Sequence, residues 1–262
     1  MKTFLSMCVI VLLWVNTVSA AIVGNAVEVS VITDNGWSIP FYMVKSTNVL
    51  KKVYAEAVKG DHYRIVVKNN LNRRVGVVVA VDGRNIISGQ KSWLRNTERM
   101  YILDPYVTNE YSGWRTGQNR VNRFYFTDVP DSYVAAFGDQ SAMGVIAVTV
   151  YPEIRRYEQS PGLSYSAREK RAQDGAMGKA APSPGAEASE NAGTGFGREE
   201  YSPSWRVQFD PESRAVESIL IKYEWRENLC RKNIINCGRT YGHYYNRLWD
   251  NESFAPPPPG LR

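Results

Sequence analysis

The feature that most constrains this chain is a block of β-branched residues at positions 75–81, Val-Gly-Val-Val-Val-Ala-Val. A run so apolar has no polar face to leave in water, so it predicts a strand covered on both sides. Just upstream, Tyr63, Ile65 and Val67 alternate with Arg64 and Lys68, which predicts a second strand before a polar turn. Asp82-Gly83 supplies a further tight-turn signal. These two strands are expected at the centre of one packed sheet. Neither carries a catalytic group.

The same grammar recurs along the chain. Residues 26–33 alternate and stop at Asp34-Asn35-Gly36, and residues 37–44 resume as a strand in which Pro40 marks an edge or bulge. Residues 51–59, 99–103, 121–127 and 144–151 read as further strands, and residues 106–117 as a long loop carrying Trp114 and Arg115. Residues 130–138 suit a helical turn or two, with a capping start and a glycine stop. From 155 to 204 the chain is rich in Ala, Gly, Ser, Pro, Glu and Lys. Such a composition buries too little apolar surface to offset ordering entropy, so a flexible linker is expected there. Residues 205–210 and 216–225 then read as two strands of a late hairpin. A hairpin is marginal alone, so it is expected to dock on the main domain.

The start, Met1-Lys2-Thr3 followed by an apolar run and Val18-Ser19-Ala20, has the form of a secretory signal peptide cleaved between Ala20 and Ala21. The apolar run is shorter than a membrane span requires. Loss of Lys2 would leave 31 basic and 26 acidic residues, a net charge of +5. Outside the cytosol that balance points to a solvated basic surface or to anionic envelope partners rather than to nucleic acid. Of three cysteines, Cys8 lies in the leader, leaving Cys230 and Cys237 to form a disulfide in an oxidising compartment. Closing so short a loop is worth on the order of 2–3 kcal/mol. Their spacing does not suit zinc, so no metal site and no cofactor are expected.

Many short strands, turn chemistry between them and little helix predict an all-β fold: a β-sandwich or jelly-roll-like module with Greek-key connections. The expected layout is a signal peptide at 1–20, a sandwich core at 21–154, a flexible low-complexity linker at 155–204, a completing hairpin at 205–229, and a cysteine loop with an aromatic, proline-rich tail at 230–262. Four patches, in order, carry a resemblance. They are Tyr63-Arg64-Ile65 through Val81-Asp82-Gly83-Arg84-Asn85 and Ser88-Gly89; Tyr101-Ile102-Leu103-Asp104-Pro105 with Gly113-Trp114-Arg115; Phe124-Tyr125-Phe126-Thr127 with Asp131-Ser132-Tyr133 and Gly144-Val145-Ile146; and Gly193-Thr194-Gly195-Phe196-Gly197 with Val207-Gln208-Phe209 and Ile221-Lys222-Tyr223. Together they resemble a group of uncharacterised bacterial proteins that share one β-rich module. The resemblance implies that the late strands belong to that module, and it implies no catalytic residue.

The candidate chemistry is sparse. The glycine cluster at 193–197 lacks the Lys-Ser/Thr of a phosphate loop and the helix of a dinucleotide loop, so it reads as a re-entry turn. His62 and His243 have no partner motif, and no Gly-x-Ser-x-Gly elbow supports a serine nucleophile. Asp82, Asp104, Glu110 and Asp131 fall at strand ends, where a glycosidase pair would sit, yet Asp82-Gly83 and Asp104-Pro105 are turn chemistry first. Trp93, Tyr106, Tyr111, Trp114 and Arg115 form a loop-borne aromatic and basic set suited to stacking on sugars or anchoring a protein. Trp114, Arg115, Tyr111 and Trp93 are therefore the expected binding residues. The functional expectation is a non-enzymatic, exported protein of the periplasm or extracellular space that binds an envelope or extracellular protein or glycan. Self-assembly into a fibre and glycan hydrolysis are the alternatives.

Overall fold

The computed structural model describes residues 19–155 and 191–237; residues 1–18 of the expected leader, most of the linker and the proline-rich tail lie outside them. The last two residues expected in the leader, Ser19–Ala20, pair with Phe41 and Tyr42 at the sheet edge. Two sheets face each other around one core. The first is ordered β1 (Ser19–Ala20), β3 (Phe41–Ser46), β4 (Leu50–Ala57), β15 (Glu217–Trp225), β12 (Val145–Pro152) and β6 (Val75–Val81). The outer edge of β6 is shared by β7 (Arg84–Asn85) and β8 (Tyr101–Leu103). The second sheet holds β2 (Val27–Thr33), β5 (His62–Asn69), β9 (Thr108–Tyr111), β10 (Gly113–Gly117) and β11 (Arg120–Asp128). Along β11 lie β13 (Ala192–Thr194) and β14 (Glu199–Tyr201). The expected β-sandwich is what forms.

The core follows the alternation in the sequence. Val27, Val29 and Val31 of β2 and Tyr63, Ile65 and Val67 of β5 point inward against Val75, Val77, Val79 and Val81 of β6 and Ile219, Ile221 and Tyr223 of β15. Every residue of β6 is buried, as its composition requires. Its outer face is covered in part because Gly76 has no side chain. A Cβ there would lie 2.1 Å from the Met100 sulfur and 2.7 Å from the Phe209 ring, so the glycine is the seat of both.

Several expectations are corrected. β5 and β6 are not neighbours: they sit in opposite sheets, and the turn between them carries the chain across the sandwich. Buried Asn69 fixes that crossing, donating to the carbonyls of Arg73 and Asp104 and accepting from the Leu71 N–H. The long loop expected at 106–117 is instead β9 and β10. The linker ends sooner than 204, because residues 192–201 run antiparallel to β11. Low β-propensity hid this strand; a Cβ on Gly195 would lie 2.2 Å from the Tyr125 ring, so packing selects the glycine. The late hairpin at 205–229 is not a hairpin. β15 pairs parallel with β4 and antiparallel with β12, while residues 205–210 join neither sheet.

Other expectations hold. Asp82 (φ 49°) and Gly83 (φ 79°) form the β6–β7 turn, as a primed hairpin turn demands. Two short 3-10 helices, Val129–Asp131 and Tyr133–Phe137, occupy the expected position, the second capped by the Ser132 hydroxyl and stopped at Gly138. Cys230 and Cys237 are joined in a disulfide beside the short helix α1 (Arg226–Arg231). Among the described residues no helix is long and apolar enough to cross a membrane.

Candidate functional site

A groove of about 1140 Å³ opens at the end of the sandwich where β6 begins. It exists because the second sheet splits. β9 runs along β5, β10 runs along β11, and β5 meets β11 only at His62–Tyr63 and Phe124–Tyr125. No ladder joins β9 to β10. The floor is Tyr101 of β8 stacked on Tyr111 of β9, ring centroids 4.2 Å apart, one ring from each sheet. Tyr111 is buried and its hydroxyl has no partner at hydrogen-bonding geometry among the described residues. Burial pushes that phenol well above its ordinary range, the neighbouring Tyr101 adds to the rise, and the Asn109 side chain offsets part of it.

The roof is residues 202–211, a strap with no turn or bend from 202 to 210. One end is tied by the Ser202 N–H donating to the Asn119 carbonyl and by Arg115 donating to the Ser202 carbonyl (2.9 Å) and hydroxyl (3.1 Å). The other is tied by the Ile154 N–H donating to Asp210 and the Glu212 N–H donating to Pro152. Phe209 anchors the underside, over Gly76 and 5.8 Å from the Arg74 guanidinium. Trp205 (77 % exposed) and Val207 (57 %) stay in solvent.

The charges in the groove are unevenly committed. Glu110 pairs with Arg64 at 2.9 Å. Glu98 accepts from the N–H groups of Trp93 and Arg95 and from the Ser92 hydroxyl. Burial works to raise the Glu98 carboxyl, but these hydrogen bonds together outweigh it and hold the group below its ordinary value. Arg115 spends its guanidinium on the Tyr101 hydroxyl (2.7 Å) and on the carbonyls of Gly117, Gln118 and Ser202. Arg99 and Arg206, both exposed groove residues, make no side-chain hydrogen bond or ion pair among the described residues.

The four expected binding residues separate here. Tyr111 and Arg115 line the groove, Tyr111 as floor and Arg115 as the clamp that holds the strap. Trp114 is turned away: it is buried, its indole donates to the Gly195 carbonyl at 3.1 Å, and its ring packs edge-on against Phe124. Strand alternation sends neighbours 114 and 115 to opposite faces. Trp93 is exposed outside the groove, with the Lys91 ammonium 5.3 Å from its ring. The strap residues Trp205, Arg206 and Phe209 are not among the expected binding residues, because their alternation is that of an ordinary strand; the flanking Pro203 and Pro211 are the sequence signal that the segment stands apart.

A second polar cluster closes the other end of β6. Asp82, 2 % exposed, accepts from the Gly144 N–H (2.7 Å), the Thr194 N–H (2.7 Å) and the Tyr223 hydroxyl (2.5 Å). The Thr194 hydroxyl links Tyr223 (2.7 Å) to Tyr63 (2.8 Å). Burial raises the Asp82 carboxyl to about 6, against the pull of its donors and of Lys222. The strand-end carboxylates do not converge. Asp82 and Asp104 sit at opposite ends of β6, roughly 20 Å of strand apart; Asp104 and Glu110 are paired with arginines; Asp131 is exposed on its 3-10 turn.

No known family, curated protein or solved structure matches the chain.

Proposed function

We propose that this chain is an exported, non-enzymatic β-sandwich protein that binds an envelope or extracellular partner in the groove beneath residues 202–211. The observation that carries this reading is the strap: both ends are fixed to the fold, while its middle roofs a groove of about 1140 Å³. Concave sites with aromatic walls and a few uncommitted polar groups are where ligands bind. Here Tyr101, Tyr111 and Trp205 supply rings, and Arg99 and Arg206 supply free guanidinium groups. The disulfide Cys230–Cys237 is in keeping with an oxidising compartment. Glycan hydrolysis is the weaker reading, because it needs two carboxyl groups roughly 5–10 Å apart across a groove, and the groove's Glu98 and Glu110 are both engaged.

The test is affinity capture from cell-envelope extract with mature protein beginning at Ala21, alongside a Trp205→Ala/Arg206→Ala variant. A specific partner held by the mature protein and released by the variant is the expected result. A partner retained equally by both would move the site off the groove, and no partner at all would remove the binding reading.

A further inference from the structure

Residues 205–210 read as a strand in the sequence, yet they have no ladder partner among the described residues. Every backbone N–H from Trp205 to Phe209 lacks a hydrogen bond among the described residues. We infer that this segment is a β-strand held open for an extended, acidic peptide segment of a partner protein, which adds to it through main-chain hydrogen bonds and lies along the groove. The inference rests on the binding reading above and sharpens it.

Three observations converge on that occupant. The first is a straight segment whose N–H groups have no partner among the described residues, so that each edge offers the alternate N–H groups strand addition uses; the Gln208 carbonyl accepts from Arg74. A glycan is gripped by side chains and rings and has no need of such a row. The second is that, apart from the charge of Arg206, the strap carries none of the usual edge protection. The exposed strand β3 carries Lys45 and a bulge between Met43 and Lys45, devices that discourage edge pairing. The strap has prolines only at its flanks, Pro203 and Pro211, with apolar Trp205 and Val207 displayed between them. The third is charge: with Glu98 and Glu110 committed, the free charges of the groove are Arg99 and Arg206, which favours carboxylates on the incoming segment. Pairing with the strap of a second copy would instead set Arg206 near its own equivalent, which like-charge repulsion disfavours.

The experiment is titration of the mature protein with a blocked octapeptide of alternating valine and glutamate, followed by calorimetry and by Trp emission. Its lysine counterpart, a version N-methylated along one edge, and an oligogalacturonate of equal length serve as comparisons. The acidic peptide is expected to bind, the lysine peptide about 10-fold or more weaker, and the methylated peptide not measurably. Arg99→Ala/Arg206→Ala should weaken the acidic peptide by roughly 5- to 10-fold with an unchanged thermal midpoint. Equal binding of the acidic and methylated peptides would overturn strand addition. Binding of oligogalacturonate without the peptide would overturn the peptide while keeping the groove as a ligand site. Self-association in place of peptide binding would assign the edge to a second copy and overturn the inference. So would silence from every probe, and the envelope capture would then judge the broader reading separately.

Discussion

The two ends of β6 handle exposed backbone in opposite ways. At its C-terminal end, the N–H groups of Gly144 and Thr194 are taken up by one buried carboxylate, Asp82, which also receives Tyr223 and so stitches β6, β12, β13 and β15 together. At its N-terminal end, β9 and β10 part, and the strap above them leaves five consecutive N–H groups without a partner among the described residues. Buried donors must be satisfied inside the protein, because leaving one unmade costs about 1–3 kcal/mol. Exposed donors can be left to water, and therefore to a partner. One end is built to stay shut and the other to receive.

The largest expected effect breaks the closed end. Asp82→Ala leaves two buried N–H groups and a phenol without an acceptor and should cost about 3–5 kcal/mol, read as a large drop in thermal midpoint. Asp82→Asn should cost less, about 1–3 kcal/mol, because its amide nitrogen faces one N–H donor while its oxygen still accepts from another. The same group sets a pH dependence. Its folded pKa of about 6 lies above the ordinary 3.8, so the folded state holds the proton longer than the unfolded chain. Its contribution is fully present below pH 3.8 and is lost as pH rises through 6, a fall of about 3 kcal/mol over that window. Denaturant midpoints measured across it should show this slope in the wild type and lose it in Asp82→Asn.

Smaller effects sharpen the open end. Gly76→Val drives a branched side chain into the seats of Met100 and Phe209, costing about 1–3 kcal/mol and lifting the strap. Limited proteolysis should then cut within residues 202–211 faster than in the parent chain. Arg115→Ala loosens the Ser202 end, which keeps its N–H bond to the Asn119 carbonyl, and should cost about 1–2 kcal/mol. The smallest expected change in stability, within about 0.5 kcal/mol, belongs to Arg99→Ala/Arg206→Ala. A large loss of stability there would mean that these guanidinium groups serve the fold rather than a ligand.

Much of the closed end was legible in the sequence, because its signals are local. Seven apolar residues in β6 require two covers, Asp82-Gly83 names its own turn, and Ser132 and Gly138 mark a helical turn. Partner choice was not legible. That β5 and β6 face each other across the core is fixed by Asn69 and by the register of β2 and β12, contacts remote in sequence. The edge strand at 192–201 was hidden because its glycines are selected by Tyr125 and other distant groups rather than by strand propensity. The groove was hardest of all, since it arises from a ladder that does not form. Trp114 and Arg115 were read as one site although strand geometry sends them to opposite faces; only Arg115 reaches the groove.

The central claim is tested most directly by amide hydrogen exchange in the free protein, comparing Gly144 and Thr194 with Trp205 through Phe209. The account predicts that Gly144 and Thr194 exchange only through global or near-global unfolding, while the five strap amides exchange at rates close to those of an unstructured peptide. Strong protection of the strap amides in the free protein would mean that the strap is already paired, and the contrast between the two ends would fail.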